Sequence, residues 1–145
     1  MTMDKCCCNT KSQLIYSCSG VANTGEMADQ ISRKLTKEGY GNMTCLASVG
    51  AHISGFIESA KGADENITID GCATACAKKI LEHIGVTPTK SYILTEMGVE
   101  KGKTSVTEEI VSIVSNKIKK GLSPKAEQKS HAEDDKNSRC SCGSC

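Results

Sequence analysis

The chain has no tryptophan, one phenylalanine and three tyrosines. Base-stacking platforms therefore have little to be built from, and the core has to come from Ile, Leu, Val, Ala and Met. An excess of charge of one sign is missing too: 18 basic residues against 17 acidic ones leave a formal charge of +1. A nucleic-acid or anionic-membrane surface needs clustered Lys and Arg, so neither partner is expected. No apolar stretch approaches the ~18 residues of a membrane span. Residues 1–6 lack the apolar core of a signal peptide. The expected compartment is the cytoplasm, where cysteines stay reduced. There they more often bind metal or do redox chemistry than form structural disulfides.

Cysteine is what the chain has in surplus, with ten among 145 residues. The length suffices for one domain with a sizeable core. Residues 1–10 carry Cys6, Cys7 and Cys8 and little else, and after Gly121 the sequence turns polar and charged. The expected division is a cysteine-containing tail over 1–10, an α/β metal-binding domain over 11–121, and a disordered polar linker with a cysteine-rich C-terminal tail over 122–145.

Within the central unit, apolar and β-branched runs alternate with helical periodicity. Residues 11–18 read as a first strand. Met27, Ile31 and Leu35 then recur on one face of a helix that Asn23 or Thr24 can cap. Residues 42–46 read as a short second strand, and Ile53, Phe56, Ile57 and Ala60 as a short amphipathic helix. Residues 66–70 form a third strand, 72–84 a second long helix, 90–95 a fourth strand and 107–119 a last helix. Such alternation gives a parallel sheet covered by helices on both faces. The expected fold is α/β, a small three-layer sandwich whose four-stranded parallel sheet has the order 2-1-3-4. Its switch point lies at the carboxyl ends of strands 1 and 3, and ligands bind in that crevice.

Four cysteines fall at this edge. Cys18 ends the first strand, Cys45 follows the second, Cys72 follows the third, and Cys76 comes four residues later. A Cys-x3-Cys pair entering a helix puts both sulfurs on one face, and a helix N-terminus favours thiolate. Four thiolates suit zinc; an iron-sulfur cluster or another soft metal is the alternative. Zinc is preferred, because the spacings of 27, 27 and 4 residues fit no compact cluster run.

The set Cys18-Ser19-Gly20, a later Cys45, then Ile69-Asp70-Gly71-Cys72 followed by Cys76 resembles the signature of the DGC-domain family, named for its central tripeptide. The resemblance covers residues 14–102. It implies zinc coordination by Cys18, Cys45, Cys72 and Cys76, and it implies no reaction.

Around these residues, Asp70 can orient a ligand or accept backbone N–H bonds in the turn, and Gly71 gives the backbone room or an unusual φ. Ser19, Gly20, Asn23, Thr24 and Gly25 make a polar loop before a helix, where N–H groups can hold an anion. The loop has neither the P-loop lysine nor the Gly-x-Gly-x-x-Gly order, so nucleotide is not expected. His52 is an alternative ligand, His83 suits a helix C-terminus, and Glu96 is expected to face the cysteine crevice. In the tails, Cys6, Cys7, Cys8, Cys140, Cys142 and Cys145 are candidates for a secondary soft-metal site.

The sequence thus reads first as a zinc-binding protein whose four core cysteines serve metal handling or a structural site, with a metal ion as partner. Two alternatives stand beside it. One is a thiol redox or thiol-transfer enzyme with Cys72 as nucleophile and Cys76 as resolving thiol. The other is soft-metal sequestration or resistance through the tails.

Overall fold

The computed structural model describes residues 11–122. The tails expected over 1–10 and 122–145, with their six cysteines, lie outside the described residues except for Leu122. The elements are β1 (Gln13–Ser17), α1 (Asn23–Lys37), β2 (Asn42–Met43), α2 (Leu46–Gly50), α3 (Ser54–Gly62), β3 (Glu65–Asp70), α4 (Cys76–His83), β4 (Lys90–Ile93), a 3-10 turn (Leu94–Met97) and α5 (Glu108–Lys119).

All strand pairs are parallel and the order is β2-β1-β3-β4, as the alternation of elements predicts. Each central strand sends alternate side chains to opposite faces. Ile15, Ile67 and Ile69 pack with Met27, Ile31 and Leu35 of α1 and with Val111, Val114 and Ile118 of α5. On the other face Tyr16 packs with Val49, Ala60, Ala77 and Leu81 of α2, α3 and α4. The sheet is thereby a middle layer. β3 carries a polar row as well: Asn66, Thr68 and Asp70, spaced by two, are all buried. Asn66 Nδ2 donates to the Ala60 carbonyl at 2.8 Å.

Several boundaries differ from the sequence expectation, each for a local physical reason. The second strand is only Asn42–Met43, because Cys45 already caps α2. The single helix expected near 53–60 is preceded by this extra one, and His52 breaks between the two in the left-handed region at φ 57°. The long helix does not begin at Cys72. It begins at Cys76, after a turn closed by the Ala75 N–H donating to the Cys72 carbonyl at 3.0 Å, with Ala75 left-handed at φ 51°. Cys72 and Cys76 therefore do not sit one helical turn apart. Neither Asn23 nor Thr24 caps α1, whose N-cap is Ala22. The fourth strand stops at Ile93, and Glu96 lies exposed on the 3-10 turn.

Candidate functional site

The switch point of the sheet opens into a cleft of about 320 Å³. The carboxyl end of β1 supplies Cys18, Ser19 and Gly20. The first turn of α1 supplies Thr24 and Gly25, and the end of β3 supplies Asp70, Gly71 and Cys72. The start of α4 supplies Ala75 and Cys76, and Lys101 comes from the loop after the 3-10 turn.

Cys18 extends the central ladder: its N–H donates to the Ile69 carbonyl at 3.0 Å. Its sulfur accepts the Gly71 N–H at 3.0 Å and is 8% exposed. Burial pushes this thiol up from its ordinary value, and the neighbouring Asp70, Cys76 and Cys72 add to the effect against the Gly71 hydrogen bond. Cys72 is the opposite case. Half-buried, its sulfur lies 3.5 Å from Thr74 Oγ1 and 3.8 Å from Lys101 Nζ. Hydrogen bonds from the Thr74 hydroxyl and N–H pull its thiol below the ordinary range, with the Lys101 ammonium assisting.

The tripeptide at the end of β3 has a separate task for each residue. Asp70 is fully buried and accepts the N–H groups of Ala77 at 2.8 Å and Lys78 at 3.2 Å, fixing the first turn of α4. Its carboxyl is pushed up by burial, against the two hydrogen bonds. Gly71 lies where a Cβ would come within 2.7 Å of the Thr24 carbonyl carbon, so β3 and α1 meet backbone to backbone. Cys72 then turns into the cleft.

Lys101 and its anchor were not found from the sequence. Asn23 Nδ2 donates to the carbonyls of Glu100 (3.0 Å) and Thr104 (2.7 Å), and its Oδ1 accepts the Gly102 N–H at 2.7 Å. One amide thus straps residues 100–104 beside the cleft mouth and holds Lys101 near Cys72. The only local signal was an Asn at a helix start, which reads as a cap. Replacing Lys101 by methionine keeps the bulk and removes the charge. The Cys72 thiol is then expected to titrate at higher pH, and its alkylation below that pH to slow a few-fold. Peptide-resolved iodoacetamide labelling against pH measures this, and an unchanged inflection would contradict the role of Lys101.

Three of the four core cysteines expected at the site, Cys18, Cys72 and Cys76, line this one cleft. Cys45 does not line it. It is exposed at the start of α2, where hydrogen bonds from Ser48, side chain first, and then Ala47 hold its thiol below the ordinary range. Among the described residues no group of three or more His, Cys, Asp or Glu is arranged to hold a metal ion. Of the polar loop, Ser19, Gly20, Thr24 and Gly25 reach the cleft, while Asn23 points to the strap. Glu96 does not line the cleft. His52 and His83 sit together in a different groove, between α2 and α4.

The sequence pattern of the DGC domain matches residues 14–118. The chain is also similar to a Pseudomonas aeruginosa protein, the anaerobic and virulence modulator AnvM, at 31% identity over 88 residues. That stretch covers 61% of this chain and 67% of the relative. No solved structure matches the chain. Among the described residues, no helix is long and apolar enough to cross a membrane.

Proposed function

We propose, for a chain that belongs to the DGC-domain family, that the switch-point cleft binds a soft metal ion, zinc first, through Cys18, Cys72 and Cys76. The observation that carries this reading is that Cys18, Cys72 and Cys76 line one cleft; their sulfurs are not arranged as a metal site in this structure, so binding has to draw them together. Their donor chemistry suits zinc or another thiophilic ion, with thiolate as the binding form. Cys18 has to give up its proton to ligate, so binding is coupled to proton release. Cys45, beside the neighbouring strand, joins as a fourth ligand if the first turn of α2 shifts. Without it the fourth position stays open to solvent or to an incoming donor. Three protein ligands and an open position favour exchange over a closed structural role, which is why we read the protein as one that handles metal in the cytoplasm.

A second reading draws on one specific observation, the pairing of Cys72 with Lys101 at 3.8 Å. A thiol held low beside an ammonium is equipped as a nucleophile, with Cys76 in the same cleft as its resolving partner. Metal analysis of the full chain purified without added metal separates the two. The metal reading expects about one zinc per chain, lost in Cys72→Ser and Cys76→Ser while circular dichroism stays native. A folded, metal-free protein with one fast-reacting thiol favours the second reading. Zinc that survives both substitutions but leaves with the tails removes the cleft from metal binding and assigns it to the terminal cysteines.

A further inference from the structure

The helices that bear Cys45 and Cys76 have histidines at their other ends. Cys45 caps α2, and His52 follows its last turn; Cys76 opens α4, and His83 is its last residue. α2 lies along α4 closely enough that a Cβ on Gly50 would be 3.6 Å from Ile80 Cδ1. The two imidazoles meet there with ring centroids 5.6 Å apart and planes at 79°. They sit in a groove of about 350 Å³ lined by Val49, Gly50, Lys79, Ile80 and Ile84. The backbone fixes His52 over the last turn of α4. Its N–H donates to the Val49 carbonyl at 3.0 Å, the Ile53 N–H donates to the Ser48 carbonyl at 3.1 Å, and its own φ is +57°.

We propose that His52 and His83 form a second metal site, built from nitrogen donors and suited to a borderline divalent cation such as Zn²⁺, Ni²⁺ or Cu²⁺. The spacing is that of a chelate. With metal–nitrogen bonds of ~2.1 Å, two imidazoles on one ion place their ring centroids about 5 to 6 Å apart. Both rings are exposed, so water can complete the coordination. His83 also lies at the negative end of the α4 dipole, which favours a cation. Imidazole takes borderline ions where thiolate selects soft ones. α4 spans ~12 Å from end to end, so the pair is a site separate from the cleft and does not depend on how the cleft is read. Lys79 in the same groove opposes a bound cation and keeps the affinity modest. An edge-to-face contact between two aromatic rings is the competing account.

Titration of the full chain with Zn²⁺, followed by the imidazole resonances in NMR spectra, tests the pair against this account. His52 and His83 are expected to shift together with one midpoint, below that of added N-acetylhistidine as a free-imidazole reference. His52→Asn suits the left-handed position. It is expected to raise the His83 midpoint by about tenfold or more, the gain of a second tethered donor being lost. His83→Gln is expected to do the same to His52, so the test survives if one variant disturbs α2. In Cys72→Ser, which removes a proposed cleft ligand, the two resonances should still shift together with one shared midpoint. If His83 responds at the same Zn²⁺ concentration without its partner, or if neither histidine responds before N-acetylhistidine, the rings are only stacked and the site does not exist.

Discussion

Gly71→Ala is expected to destabilise the domain by about 2–3 kcal/mol, the upper range for forcing an extra carbon into a packed interior. That corresponds to a fall in Tm on the order of 10 °C for a domain of this size. The φ of Gly71 is not in the positive region, so the penalty is steric rather than torsional. A Cβ there would stand 2.7 Å from the carbonyl carbon of Thr24, 2.8 Å from its oxygen and 3.0 Å from its Cβ. Two of these three atoms are backbone, so no rotamer change relieves the contact. Nor can α1 move aside cheaply. Met27, Ala28, Ile31 and Leu35 are fully buried below the contact, and Asn23 next to it is tied to the strap at residues 100–104. If residue 71 moves instead, its hydrogen bond to the Cys18 sulfur at 3.0 Å is lost. Thermal denaturation together with the alkylation rate of Cys18 measures both consequences. Gly55, with nothing within 4 Å of its Cβ position on α3, is the control and tolerates alanine. A Tm for Gly71→Ala within a degree or two of the parent would mean that the approach of β3 to α1 is looser than described.

This close approach also marks what the sequence could and could not reveal. The parallel order was legible because strand and helix signals alternate and because Ile15, Ile67 and Ile69 share a face by parity. The place of Cys18 and Cys72 beside the cleft was legible because each follows a central strand, and central strands end at the switch point. Cys45 follows an edge strand of two residues, paired only through Asn42 and Met43. The chain turns into α2 straight after it, so Cys45 sits at the N-cap of a helix and does not line the cleft. The start of α4 was hidden for a different reason. Apolar periodicity continues back to Ala73, but the turn at 72–75 is fixed by Asp70, whose hydrogen bonds reach residues seven and eight positions on. Asn23 looked like a cap because Asn is a good one, and its real partners lie 77 to 81 residues away. What local pattern encodes was readable; what long-range hydrogen bonds decide was not.

Asp70→Ala is expected to be the other severe substitution, at about 3 kcal/mol, since it strips a buried charged acceptor from two N–H groups. Those of Ala77 and Lys78 are second and third in α4, where a helix has no partners of its own. Ala75, at the N-cap, offers no side-chain acceptor, and Ala77 is itself fully buried, so water does not substitute easily. Asp70→Asn separates the two parts of the effect. Its carbonyl oxygen can still accept from Ala77, while its amide nitrogen meets the Lys78 N–H donor to donor, for a loss of about 1 kcal/mol. Asparagine also removes a buried charge whose burial pushes the carboxyl up, which offsets part of that loss. The order parent, then Asn, then Ala is the expected ranking in chemical denaturation. Hydrogen exchange locates the damage: in Asp70→Ala the amides of Ala77 and Lys78 should exchange faster, while those of α1 and α5 follow global stability alone. Equal losses for the two variants would mean that the carboxylate charge, rather than its acceptor geometry, holds α4 in place. Cys76 begins α4 and Cys72 follows Asp70 by two residues, so loosening this turn moves both thiols relative to Cys18. Asp70 therefore sets the shape of the cleft, and on the metal reading proposed above, affinity should fall in Asp70→Ala even though all ten cysteines remain.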